Sequence, residues 1–186
     1  MNLKKILKMT TIKFILLGFL GLILLILIIA IFIKKDFSIE QEVIIIKPKQ
    51  EVFGYIKYLK NQDNYLKWFL LDKNMQKDFK GIDGKVGFVY SWKCENKNVG
   101  IGEQEITNIV EGERIDIEIR FTVPFQSTDP SYMTTEVVSE NQTKVKNGYK
   151  GKMRYPTNLL TQVIKSKIEK DMHANLINLK NILEKQ

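Results

Sequence analysis

The sequence predicts an α+β fold, an antiparallel sheet with one long C-terminal helix, preceded by one N-terminal transmembrane helix. Three observations carry this. Residues 14–33, a run that opens on Phe14 and closes on Ile33, hold twenty amino acids without a polar side chain. Between residues 88 and 153 several stretches alternate apolar and polar residues with a period of two, the signature of half-buried strands. After Pro156, the residues Leu160, Ile164, Ile168, Met172, Leu176, Leu179 and Leu183 recur at spacings of three and four, which describes one amphipathic helix.

The apolar run decides how the charge is read. The chain has 186 residues, 29 Lys+Arg against 21 Asp+Glu and a net charge of +8, a balance that first suggests a nucleic-acid binder. Six of the lysines (Lys4, Lys5, Lys8, Lys13, Lys34, Lys35) lie in residues 1–35, where there is no acid, and the remaining 151 residues carry only +2. A nucleic-acid partner is therefore not expected. At about 1.5 Å per residue, twenty helical residues span about 30 Å, the hydrocarbon thickness of a bilayer. A signal-peptide core is shorter, about 7–15 residues with small residues at the cleavage site, and a core helix keeps a polar face. Residues 14–33 are accordingly read as a membrane helix between a basic flank (1–13) and a short tether (34–36), with one domain over 37–186. Four lysines precede the run and four follow it nearby (Lys34, Lys35, Lys47, Lys49), so the charge rule is tied. A basic N-terminus leading straight into an apolar run has the form of a signal anchor, which puts the chain in the cell membrane as a single-pass protein with its domain outside.

Within the domain, residues 38–47 read as a strand that Pro48 stops. Residues 49–60 place Val52, Phe53, Ile56 and Leu59 on one helical stripe, and residues 64–70 form a second short helical turn. Residues 72–85 are polar and read as a loop. Strands follow over residues 88–94, 99–110 and 115–122, then a loop from Pro124 to Ser131, then strands over 132–139 and 143–153. The last of these turns Lys144, Lys146, Lys150 and Lys152 outward. They are read as the solvent face of a strand whose sheet neighbours carry Glu103, Glu105, Asp116 and Glu118.

This order of elements, together with DFSIEQEVIIIKPKQEVFGYIKYLKNQDNYLKWF (36–69), GKVGFVYSWKCENKNVGIGEQEITNIVEGERIDIEIRFTVPF (84–125) and KDMHANLINLKNILE (170–184), resembles the SRPBCC (START-like) superfamily. The nearest branch is the polyketide cyclase/dehydrase and lipid-transport type, including bacterial members with an N-terminal membrane helix. The resemblance covers residues 36–184. It implies the helix-grip fold, in which a curved sheet wraps the long helix around a hydrophobic cavity for lipids, polyketides or other apolar molecules; some members catalyse cyclisation or dehydration. Members of this branch often carry a second tryptophan and a proline after the position matching Trp68, where this chain has Phe69, Leu70 and Leu71.

If such a cavity exists, its walls come from the inward faces: Tyr90 and Trp92, Gln104 and Ile106, Ile117 and Ile119, and Tyr149, with Ile168 and Met172 from the helix. Tyr and Trp offer apolar bodies with one polar handle, and an inward Gln104 suits a ligand carbonyl or hydroxyl. No catalytic constellation is found. His173 is the only histidine, four residues after Glu169, and reads as a rim residue; Cys94 is the only cysteine and reads as a small core residue. These counts exclude an internal disulfide and a multi-Cys metal site, and no cofactor and no metal are expected. Gly81, Gly84 and Gly87 lack the Lys-Ser/Thr ending of a phosphate loop and read as turn residues. The sequence favours binding of a hydrophobic small molecule or lipid. The rivals are a polyketide cyclase/dehydratase-like enzyme and a non-catalytic interaction module of a membrane complex.

Overall fold

The computed structural model describes residues 3–72, 74–96, 99–123 and 126–185, with side chains described from residue 11. The side chains of Lys4, Lys5 and Lys8 in the basic flank, and residue Pro124, thus lie outside what is described. The elements are α1 (Leu3–Phe32), β1 (Asp36–Ile45), α2 (Lys49–Ile56), a 3-10 turn (Leu59–Asn64), α3 (Lys67–Leu70), β2 (Gln76–Lys80), β3 (Val89–Lys93), β4 (Ile101–Val110), β5 (Arg114–Val123), β6 (Ser127–Ser139), β7 (Gln142–Lys152), a second 3-10 turn (Thr157–Leu160) and α4 (Thr161–Lys185). They divide into two compact units, one formed by residues up to Lys35 with Met153–Gln162, the other by Asp36–Lys152 with the chain from Val163 onward.

In the first unit, α1 contains the segment Thr11–Phe32, 22 residues of mean hydropathy 3.3, long and apolar enough to cross a bilayer. Among its described side chains almost all are exposed and only Ala30 is fully buried. The alanine at this position has a physical reason. The 3-10 turn packs against it, and the Asn158 amide Nδ2 donates to Ala30 O (2.6 Å) and Ile33 O (2.9 Å), satisfying carbonyls that the end of a helix leaves without partners.

The second unit is a seven-stranded antiparallel sheet in the order β1-β7-β6-β5-β4-β3-β2. The first strand pairs with the last, from Asp36↔Lys152 to Ile45↔Thr143. Inward residues of the strands alternate with outward ones, as in Tyr90 and Trp92, Gln104 and Ile106, Ile115 and Ile117. On α4, Met172, Leu176, Leu179 and Leu183 are buried, while Leu160 lies in the preceding turn and is half exposed.

Three segments depart from expectation. The polar stretch 72–85 contains β2, an edge strand (QKDFK) exposed along its whole length, and short polar edges of this kind resist unwanted pairing. The stretch 124–131 is largely strand: β6 starts at Ser127 and pairs with β5 from Ser127↔Phe121 onward, with Pro130 inside it. The helix over 49–60 ends at Ile56, because the Asp83 carboxylate takes the N–H groups of Leu59 (2.8 Å) and Lys60 (3.1 Å) and draws the chain into the 3-10 turn. The lysine strand also finds other partners than expected. Lys144 and Lys146 reach Glu136 and Lys152 reaches Asp36, whereas Glu103, Glu105 and Glu118 all clasp Arg120 at 2.6–2.8 Å.

Candidate functional site

The inner face of the sheet and α4 line a partly open cavity of about 150 Å³. The sheet supplies Trp92 from β3, Gln104 from β4, Ile117, Ile119 and Phe121 from β5, and Met133 from β6, with Asn147 and Tyr149 from β7. Helix α4 supplies Ile168, Asp171, Met172 and Asn175. A third wall comes from the 3-10 turn and α3, through Gln62, Tyr65, Leu66, Trp68 and Phe69.

Of the nine cavity candidates read from the sequence, the structure brings Trp92, Gln104, Ile117, Ile119, Tyr149, Ile168 and Met172 around this cavity. Tyr90 and Ile106 share the inward face but do not line it. Tyr90 is fully buried, its ring against Phe69 (5.1 Å) and Phe79 (5.0 Å) and its hydroxyl donating to Asp63, while Ile106 is fully buried in the core. Alternation assigns a face, and the cavity occupies only part of that face.

The aromatic wall is built edge to face. Trp92 meets Phe69 at 5.8 Å and 62° and Phe121 at 5.9 Å and 77°, contacts that contribute about 0.5–1.5 kcal/mol each beyond the area they bury. The Trp92 indole N–H is buried with no partner among the described residues, so the ring is held by packing alone.

Most polar groups at the cavity are engaged with the protein. Tyr149 donates to the buried Asp129 at 2.8 Å, and burial, followed by that carboxylate's charge and hydrogen bond, pushes its pKa up and keeps it a phenol. Burial likewise raises Tyr65. Ser131 donates to Gly148 O (2.9 Å). Asp171 is buried yet accepts from Lys67 Nζ (2.8 Å) and Trp68 Nε1 (3.0 Å), and Asn175 Oδ1 accepts the Lys67 N–H (2.8 Å), which ties α3 to α4. Gln62 and Gln104 are 4% and 5% exposed, and Gln104 Nε2 donates to Gln62 Oε1 at 2.6 Å.

The Asp171 clasp has a worked pH dependence. Burial works to raise its pKa, but the hydrogen bonds from Lys67 and Trp68 and the Lys67 charge outweigh it, and the net shift is downward. A carboxylate whose pKa is lower in the folded state stabilises the fold above its unfolded value and loses that contribution as pH falls through the folded value. Asp171→Ala, which orphans Trp68 Nε1, is expected to cost about 1–2 kcal/mol. The gap between wild type and variant in urea titrations should be flat from about pH 8 to 5 and should narrow below about pH 4, the ordinary aspartate range.

The other chemistry-bearing residues lie elsewhere. His173 is exposed, and Glu169 pairs with Lys165 (3.6 Å). Cys94 is buried with its thiol against Asp72 Oδ2 (3.1 Å), and burial and that carboxylate raise its pKa. Among the described residues no group of three or more His, Cys, Asp or Glu side chains comes together as a metal site. The sequence does not mark Gln62 and the α3 wall, since short helical turns carry no periodicity to show their inner side, nor Asp171, a polar residue on α4 that an apolar stripe passes over.

Solved structures share this architecture. They include norcoclaurine synthase from Thalictrum flavum in complex with dopamine and hydroxybenzaldehyde (TM-score 0.60, 8% identity, 81% of this chain and 88% of that one). Ara h 8.0201 aligns at TM-score 0.56 with 14% identity over 81% of this chain and 99% of its own. The Aha1 dimer from Colwellia psychrerythraea aligns at TM-score 0.56 with 15% identity, covering 80% of this chain and 96% of that chain. The fold is the helix-grip fold. No protein-family model matches the chain, and no curated protein sequence matches it.

Proposed function

We propose that this protein is a single-pass membrane-anchored binding protein whose helix-grip domain holds a hydrophobic small molecule between its sheet and α4. The cavity carries the reading: it is enclosed by aromatic and aliphatic side chains from three sides, with few polar groups, the general form of a small-molecule site. Its volume narrows the ligand. About 150 Å³ matches a cavity that takes one benzene-sized molecule, so a single ring or a short acyl segment fits and a two-chain lipid does not. Norcoclaurine synthase, of the same fold, carries two single-ring molecules. The engaged states of Asp171 and Tyr149 support holding a ligand over acid–base chemistry.

The anchor rests on the exposed, bilayer-length apolar helix α1, since a helix apolar on every side and unpacked suits lipid. Three residues separate α1 from β1, a reach of about 10 Å, which keeps the domain close to the membrane, and the basic N-terminus leading straight into the apolar run is the form that puts the N-terminus inside. The full chain in lipid nanodiscs, titrated with 4-fluorotoluene and followed by ¹⁹F NMR, should show one saturable site per chain beyond uptake by empty nanodiscs. Uptake equal to that of empty nanodiscs would refute the binding reading. A periplasmic reporter fused after Gln186 that stays inactive would refute the orientation.

A further inference from the structure

We infer that the cavity selects a small, planar, uncharged ligand that carries both a hydrogen-bond acceptor and a donor, such as a carboxamide or lactam, through the buried amide pair Gln62–Gln104. This rests on the cavity reading above and adds to it the chemistry of the ligand's polar edge.

Each amide has a nitrogen that donates and an oxygen that accepts. In the pair, one nitrogen and one oxygen are spent on each other, Gln104 Nε2 to Gln62 Oε1 at 2.6 Å. One of each is left: Gln62 Nε2 and Gln104 Oε1 take no protein partner among the described residues. The balance is the same whichever way the two amides are turned, because flipping both exchanges the roles of nitrogen and oxygen without changing what remains. These leftover atoms differ from the Trp92 N–H. That atom is sealed inside the protein, whereas the leftover amide atoms are not sealed off, although both glutamines are at least 95% buried and both line the cavity.

A buried polar group without a partner costs about 1–3 kcal/mol, and an apolar ligand would deepen that cost by stripping away any water. A ligand offering a carbonyl to Gln62 Nε2 and an N–H to Gln104 Oε1 removes it. A site built this way also rejects the analogue that lacks those groups. The surrounding rings of Tyr65, Trp92 and Phe121 favour a flat body, and the volume limits it to about one ring with a small substituent. The pair bears no charge, and Asp171, the buried carboxylate of the lining, is already matched by Lys67, so the site favours no ion of either sign.

The test uses three single-ring compounds of similar size: benzamide (donor and acceptor), acetophenone (acceptor only) and cumene (neither), each competing with 4-fluorotoluene for the full chain in nanodiscs. Partition into the bilayer is the same for every protein variant, so the ratio of variant to wild-type affinity reads the site alone. Gln104→Met keeps the side chain's length and removes its amide. It should weaken benzamide about tenfold, the worth of a hydrogen bond of about 1.4 kcal/mol, and leave cumene within about twofold. Gln62→Met, which removes the other half of the pair, should weaken both benzamide and acetophenone. Retained cumene binding certifies that each variant is folded. If benzamide and cumene change together in both variants, the amide-pair inference falls and the cavity reading stands. If none of the three displaces 4-fluorotoluene from the wild type, both fall.

Discussion

Ile119→Trp is expected to lower the affinity for 4-fluorotoluene by about 100-fold or more while leaving the protein folded and no less stable. Ile119 lies on β5, opposite Asp129 on β6 and Gln104 on β4, and lines the cavity as a partly buried residue on the edge of the core. An indole there grows into existing space, where the aromatic edges of Trp92 and Phe121 already line the wall. Overpacking a filled core costs about 1–3 kcal/mol, but filling a cavity commonly adds about 0.5–2 kcal/mol. The signs therefore separate the two readings of this fold. If the cavity is the binding site, binding is lost as Tm holds or rises. If the domain is an interaction module with a filled core, the same substitution lowers Tm and has no binding to remove. A loss of about 100-fold corresponds to about 2.7 kcal/mol, well within what displacing a ring-sized ligand removes. Far-UV circular dichroism and the melting curve of the same preparation check that the variant is folded.

Why the sequence reached some walls of this site and not others follows from the periodicities. A two-residue period needs only a handful of residues to show itself, and so alternation alone assigns Trp92, Gln104, Ile117, Ile119 and Tyr149 to the inward face. The stripe on α4 is equally plain over its 25 residues, and it includes Ile168 and Met172. The depth of the cavity along the strands is a different matter. It is set where α3 and the 3-10 turn press on the sheet, which puts Tyr90 beneath Phe69 and leaves Trp92, two residues on, at the cavity wall. Those two elements are four and six residues long, too short for a helical period, and they are held by tertiary contacts: Asp83 under Leu59 and Lys60, Asn175 and Asp171 on Lys67. The missed strand β2 has the same cause in another form. All five residues of this edge strand stay exposed, so alternation has little to report, and apart from the ring of Phe79 on Tyr90 and Phe88 and the Lys77–Asp63 ion pair it is held by its backbone pairing from Gln76↔Lys93 to Lys80↔Val89.

Gly102→Val, behind the cavity-lining Trp92, should be strongly destabilising, by about 3 kcal/mol, and should displace Trp92 as it does so. Gly102 is a buried position on β4, paired with Trp92 on one side and Phe121 on the other, at a register irregularity between Ile101 and Gly102. A glycine inside a strand often marks a close approach of this kind. A Cβ added there would stand 2.7 Å from Trp92 Cζ2 and 2.8 Å from the Arg120 carbonyl oxygen. The first contact could be relieved by turning the indole, but Phe69 and Phe121 hold that ring edge to face. The second cannot be relieved by a rotamer change, because Arg120 belongs to β5 and its backbone is tied into the ladder on both sides. Valine's favourable strand propensity, worth at most about 1 kcal/mol, does not offset two such overlaps. For a chain of this size about 3 kcal/mol corresponds to a fall in Tm of about 6–12 °C. Gly102→Ala should cost less and share the sign. With Trp68 replaced by phenylalanine to leave Trp92 as the only indole, the emission of Gly102→Val should shift to the red as Trp92 leaves its packed site. A melting temperature and emission spectrum matching the Trp68→Phe parent would show that the sheet yields at this point and that Trp92 is not wedged against it.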